Sequence, residues 1–208
     1  MTATRAVARW LGVLLLAGAL ASAAAHAADP APALAGAPLL KALRDGGYIL
    51  YFRHTATDFS QNDANMEGFD DCARQRNLTE AGRAEARAIG AAIRSLDIPV
   101  GKVLASPYCR TRETAELIFG RYQAAPEARG GPARAEADRY AELKLLFGRR
   151  VEGRVNLAIA SHGNPFAAIA GGPYLAEGEA AVVEPLGDTG FRVVARIRKE
   201  EWTTLSPR

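Results

Sequence analysis

The sequence predicts an α/β fold: a three-layer α/β/α sandwich built on a mostly parallel sheet, with a C-terminal β-hairpin. Three observations carry that expectation. Near-continuous apolar runs recur at YILYFR (48–53), VGKVLAS (100–106) and VNLAIAS (155–161), and such runs suit strands buried on both faces of a parallel sheet. Between them, apolar residues recur at spacings of three and four, the period of a helix with one buried stripe. Near the end, EAAVVEPL and FRVVARI flank Gly187-Asp188-Thr189-Gly190, which reads as two strands about a turn.

Taken in order, the chain begins with Arg5 and Arg9, then LGVLLLAGALA, then small residues through Ala25-His26-Ala27. That is the charged, apolar, A-x-A order of an export signal cleaved after Ala27. The alternative, an uncleaved anchor, must work with an apolar run short for a span of ~20 residues. Residues 28–44, opening on the Pro/Ala-rich DPAPALAGAP, read as a tether and short lead-in, and 45–208 as a single domain. After the first strand and a polar loop (55–77), Thr79 is placed to cap a helix whose buried stripe is Ala86, Ile89, Ile93 and Leu96. Asp97-Ile98-Pro99 ends it. The second strand leads into a helix over 109–120 closed by Gly120. Residues 123–136, rich in Ala, Pro, Gly and Arg, read as a loop. Short helices near 137–147 and 164–170 bracket the third strand.

The formal charge is +3, and +1 without the first 27 residues, which hold Arg5 and Arg9 and no acid. Both signs are scattered and no basic stripe carries interleaved aromatics, so nucleic acid is not an expected partner. Cleavage would leave no long apolar segment for stable membrane insertion, and in a Gram-negative cell an exported soluble chain is periplasmic. Only Cys72 and Cys109 are present. In an oxidising compartment an even count suggests a disulfide, against the alternative of two separate buried thiols.

Chemistry concentrates where the strands end. His26 lies in the export signal; the other two histidines follow predicted buried strands directly, in Arg53-His54-Thr55 and Ser161-His162-Gly163-Asn164. In α/β sheets the carboxyl ends of strands are where ligands bind. The remaining predicted strand runs into SPYCRTRETA (106–115), bringing Arg110 to the same edge at a helix start, a setting that favours anions. A lone histidine or arginine at such a place is ordinarily structural. Two of each, converging on one rim, make a cationic pocket suited to a phosphoryl group. The acids form no compact metal-ligand cluster, and there is no G-x-S-x-G elbow for a serine hydrolase.

The ordered set resembles the histidine phosphatase superfamily, the phosphoglycerate-mutase-like group. Its R-H-G motif appears as Arg53-His54-Thr55, its S-P-x-x-R-x-x-x-T-A motif as Ser106 to Ala115, its second H-G as His162-Gly163, and its L-T-x-x-G as Leu78 to Gly82. Thr55 stands where glycine is usual, which removes some backbone freedom but no reacting group. The resemblance implies a phosphomonoesterase without a cofactor or metal, acting on a small phosphorylated substrate. His54 would be the nucleophile, with Arg53, Arg110, His162 and Asn164 binding phosphate. The proton donor is open among Glu177, the first choice, Asp58, the second, Glu179 in the same segment as Glu177, and Glu136 and Glu142, which lie in no aligned motif. Alternatives are a phosphomutase, or a non-catalytic module that binds phosphorylated ligands. The loop 58–77, with its acids Asp58, Asp63, Glu67, Asp70 and Asp71, is expected to roof the pocket and disfavour highly anionic substrates.

Overall fold

The apolar run that ends on Arg53 becomes strand β1 (Ile49–Arg53), at the centre of the fold. It runs parallel to β4 (Asn156–Ser161) on one side and antiparallel to β5 (Ala180–Pro185) on the other. Successive side chains of a strand point to opposite faces, and here both faces are covered. Leu50 and Phe52 enter one core and Ile49 and Tyr51 another, all four fully buried. That double burial is why the run shows no polar alternation. The computed structural model describes residues 33–131 and 138–205; the expected export signal (1–27) and Glu136 lie outside them.

With β2 (Val100–Ala105), β3 (Gln123–Ala124) and β6 (Phe191–Ile197), the described residues make one six-stranded sheet in the order β3-β2-β4-β1-β5-β6. Pairs β3-β2, β2-β4 and β4-β1 are parallel, and the C-terminal hairpin adds two antiparallel strands beside β1. Helices α1 (Gly36–Asp45), α2 (Glu80–Ser95) and α3 (Cys109–Phe119) contribute to the core on the Leu50/Phe52 face. Helices α4 (Pro126–Arg129), α5 (Ala141–Gly148) and α6 (Gly163–Ala170) cover the Tyr51 face, where Ala128, Phe147 and Phe166 are buried. The three-layer expectation holds. No helix among the described residues is long and apolar enough to cross a membrane.

Two expectations need correction. The lead-in to residue 44 is not tether throughout: α1 buries Leu39, Leu40 and Leu43 against the first core, each worth about 2 kcal/mol of apolar transfer. Leu34 also joins the fold, its N–H donating to the Val194 carbonyl at 2.7 Å. The segment from 123, read as a loop, holds the two-residue β3 and the single turn α4, started by Pro126 at a position where its missing N–H costs nothing.

Register sets up the chemistry. Arg53 pairs with Ser161, and Ala105 with Ala160. The carboxyl ends of β1, β4 and β2 are therefore level, and His54, His162 and Ser106 leave the sheet at the same height.

Candidate active site

His54 is fixed through its backbone first. Its N–H donates to the Ser161 carbonyl and its own carbonyl accepts from Gly178, both at 3.0 Å. The side chain is 2 % exposed, and its Nδ1 lies 3.0 Å from the Thr55 carbonyl. A carbonyl only accepts, so Nδ1 carries the proton and Nε2 keeps its lone pair. Burial drives the imidazole pKa down to about 3, and the charges of Arg110, Arg53 and Arg76 push the same way. The ring is neutral and nucleophilic across the physiological range.

Thr55 needs no special backbone, because positive φ among the described non-glycine residues occurs only at Asp97. Its N–H donates to Thr114 Oγ1 at 3.3 Å, and that hydroxyl donates to the Arg110 carbonyl at 2.7 Å. The backbone at Thr55 thus ties the loop after His54 to the helix that carries Arg110, and its side-chain Oγ1 lies 3.5 Å from the same Thr114 hydroxyl. On the other side of that loop, Thr79 caps α2 by accepting from Gly82 at 2.9 Å, while its own N–H donates to the Ala56 carbonyl. A Cβ on Gly82 would stand 2.1 Å from that carbonyl oxygen, which explains the glycine in L-T-x-x-G.

Around His54 lies a cleft of about 400 Å³. Its walls include His162 and five arginines: Arg53, Arg76, Arg110, Arg129 and Arg139. Arg110 is held by Asp63 at 3.0 Å and lies 4.3 Å from the Tyr108 ring centre. Arg53 donates to the Leu175 carbonyl at 2.8 Å and lies 5.3 Å from the Tyr174 ring centre. The buried Nε groups of Arg53, Arg76, Arg110 and Arg139 have no partner among the described residues, an unusual cluster of orphaned donors that an anion would satisfy. His162 Nε2 is hydrogen-bonded to Ser106 Oγ at 2.8 Å. Burial holds its pKa well below the usual imidazole value, with His54 and the arginines adding to the effect. Among the described residues no Asp or Glu borders the cleft, and no group of His, Cys, Asp or Glu is arranged to hold a metal.

Residues 49–131 match the family model of the histidine phosphatase superfamily (branch 1); that span holds Arg53, His54 and Arg110, and His162 lies beyond it. Over that segment, less than half of its length, the chain resembles the histidine phosphatase superfamily. Solved structures with this fold include the protein histidine phosphatase SixA complexed with tungstate, at 17 % identity and a TM-score of 0.52, covering 74 % of this chain and 98 % of that one. A mycobacterial glucosyl-3-phosphoglycerate phosphatase with inorganic phosphate aligns at 13 % identity and a TM-score of 0.52, over 74 % and 99 %. Among curated proteins, none matches the chain.

The structure gathers Arg53, His54, Arg110, His162 and Asn164 on the cleft, with Asn164 accepting from the Tyr174 hydroxyl. Cys72 and Cys109 are bridged. The proton-donor candidates do not join them. Glu177 lies behind His54, 3.8 Å from Nδ1 and 3.6 Å from Arg53, and accepts from the Thr57 hydroxyl at 2.7 Å. That is the side away from Nε2, so the placement does not suit a proton donor to a leaving group. Asp58 accepts from its neighbour Ser60, Glu179 pairs with Arg196 at 2.8 Å, and Glu142 is exposed on α5. The roof also differs from expectation. Of residues 58–77 only Arg76 borders the cleft, and Asp63, the acid nearest it, is spent on Arg110. The loop does not make the cleft acidic. Sequence reasoning missed Arg76, Tyr108, Arg129, Arg139, Tyr140 and Tyr174, and Ser106 entered only as a motif letter; nothing in sequence separates these arginines from the chain's other basic residues.

Proposed function

We propose that this protein is an exported, periplasmic phosphomonoesterase that hydrolyses its substrate through a phosphohistidine on His54, without a metal ion. One observation carries the reading: a buried histidine, held as the Nδ1–H tautomer with Nε2 unprotonated, borders a cleft walled by arginines and, among the described residues, by no carboxylate. Nε2 attacks phosphorus in line, the P–O bond to the leaving group breaks, and the departing oxygen takes its proton from solvent. The ring, protonated at Nδ1 and phosphorylated at Nε2, becomes cationic; the Thr55 carbonyl and the Glu177 carboxylate lie on the side where that charge is stabilised. Arg53, Arg76, Arg110 and His162 oppose the charge on the equatorial oxygens, the task a magnesium ion performs elsewhere. Water then attacks phosphorus, the N–P bond breaks and neutral His54 returns.

Support for export is confined to the sequence order of residues 1–27 and to the paired cysteines. The test of function uses p-nitrophenyl phosphate with the purified chain. Turnover is expected without added metal and in the presence of a chelator, with an acid-quenched phosphoenzyme whose label maps to His54. Arg110→Ala is expected to lose ~10²–10³ in turnover. No hydrolysis of any phosphoester in a broad panel, or a label on another residue, overturns the proposal.

A further inference from the structure

Residues 58–77 supply Arg76 to the cleft and hold Arg110 there, yet nothing apolar anchors them. No side chain between Phe52 and Leu78 joins a hydrophobic core among the described residues. What holds the segment is polar and covalent, and it converges on the first turn of α3. Asp63 accepts from the Arg76 N–H at 2.9 Å and from Arg110 at 3.0 Å, and the Arg76 carbonyl accepts from Arg110 at 3.3 Å. Gln75, 1 % exposed, accepts from the Cys109 N–H and donates to the Phe69 carbonyl, both at 3.0 Å. The Cys72–Cys109 bridge ties the same segment to the helix one residue before Arg110.

The bridge is also placed to open. Cys72 is exposed while Cys109 is buried, and both border an open groove of about 900 Å³ with Arg83, Arg112 and Tyr122. An incoming thiolate therefore reaches Cys72 Sγ first. Cys109 is the first residue of α3, and Arg112 Nη2 lies 3.2 Å from its Sγ. A helix N-terminus and a guanidinium both stabilise a thiolate at that position, and a stabilised thiolate leaves faster in exchange. Asp70 pairs with Arg112 Nη1 at 2.7 Å, from the solvent side, which leaves Nη2 facing the sulfurs.

We infer that the Cys72–Cys109 bridge is a thiol-controlled switch on phosphate binding. One thiolate of a dithiol attacks Cys72 Sγ, the S–S bond breaks and Cys109 leaves as a thiolate. The second thiolate then attacks the dithiol sulfur bound to Cys72 and frees that cysteine. Two electrons pass to the cysteines, and the dithiol ends as its own disulfide. Without the bridge, residues 58–77 keep polar contacts alone, and Arg76 and Arg110 lose the fixed placement that makes the anion site preorganised. A chain held as the dithiol in a reducing compartment therefore binds phosphate weakly until a disulfide oxidant closes the bridge. The switch rests on the phosphatase reading for any effect on turnover; phosphate binding tests it alone.

Calorimetry with orthophosphate compares the bridged chain with the same chain treated with dithiothreitol, while thiol titration reads the cysteines and circular dichroism reads the fold. Reduction is expected to weaken phosphate binding about tenfold or more with the circular dichroism unchanged, and reoxidation to restore it. Cys72→Ser/Cys109→Ser is expected to bind at the weak value with or without the dithiol. Arg112→Gln is expected to release its thiols about threefold more slowly, while its bridged form binds orthophosphate as the wild type does. Equal phosphate affinity in the bridged and reduced chains overturns the inference. So does a loss of the folded signal together with binding, which makes the bridge a staple of the whole fold, and so does a serine variant that binds like the bridged chain. Thiol release from Arg112→Gln at the wild-type rate overturns the opening route through Cys109. If p-nitrophenyl phosphate is hydrolysed in neither state but orthophosphate binding still follows the bridge, the switch stands and the phosphatase reading falls.

Discussion

At the scale of single residues, the role of an acid depends on which side of the nucleophile it occupies. Glu177 holds Thr57 and faces the protonated nitrogen of His54. In the mechanism we propose, it would stabilise the ring cation formed as Nε2 bonds to phosphorus, as a positioning and charge-balancing residue. Glu177→Gln keeps the shape and removes the charge. We expect kcat to fall about tenfold, the equivalent of ~1.4 kcal/mol, with orthophosphate affinity little changed. The fall should be the same for p-nitrophenyl phosphate and for an alkyl phosphate, whose leaving group is far more basic. A proton donor would spare the first and cripple the second, and would remove the basic limb of the pH–rate profile. Measuring both substrates in one variant therefore decides the role. The sequence offered Glu177 as the first choice among the acids for the site; that it sits beside His54, and on which side, was not legible, because that depends on how residues 174–179 turn back so that Gly178 bonds the His54 carbonyl.

At the scale of elements, what was legible depended on whether a segment's partner lay nearby in sequence. Strand β1 declared itself because burial on both faces leaves no polar position. Helix α2 did so because its capping threonine and its apolar stripe are local features. Helix α1 did not, since Ala, Gly and Pro open it and only Leu39, Leu40 and Leu43 mark the face that the sheet will cover. The start of α2 also supports the site, because Thr79 and Gly82 grip the Ala56 backbone two residues beyond His54. Gly82→Ala places a methyl 2.1 Å from a backbone oxygen, which no side-chain rotation relieves. We expect a loss of roughly 1–3 kcal/mol in stability from this overpacking, measured by urea unfolding, and a larger proportional drop in kcat as the loop after His54 shifts. Alanine at the exposed Arg87 of the same helix, a control, should leave both within error.

At the scale of the whole molecule, the sheet carries two neutral histidines in its interior edge, and that makes stability depend on acid. Burial holds His54 to a pKa of about 3 and His162 well below the ordinary value of 6.5. In the unfolded chain both titrate near 6.5. Below that pH the unfolded state binds protons that the folded state refuses, so stability falls as pH falls from about 6.5 toward 3 and is insensitive to these groups above 7.5. The window from pH 7.5 to 5.5 lies above the range where most carboxylates titrate, which isolates the histidines. Over it each should cost about 1.4 kcal/mol, or about 3 kcal/mol together. Urea unfolding of wild type at both pH values measures the total, and His54→Ala, whatever its absolute stability, should show about half the difference. Equal pH dependence in the two proteins would mean that His54 takes up a proton in the folded state, and with it the lone pair on Nε2 that the nucleophile needs would be lost. Saturating orthophosphate gives the complementary reading. A bound dianion facing His54 and His162 favours their protonation in the folded state, so the acid sensitivity should be smaller in its presence, and the reduction should vanish in Arg110→Ala if that arginine is what holds the phosphate there.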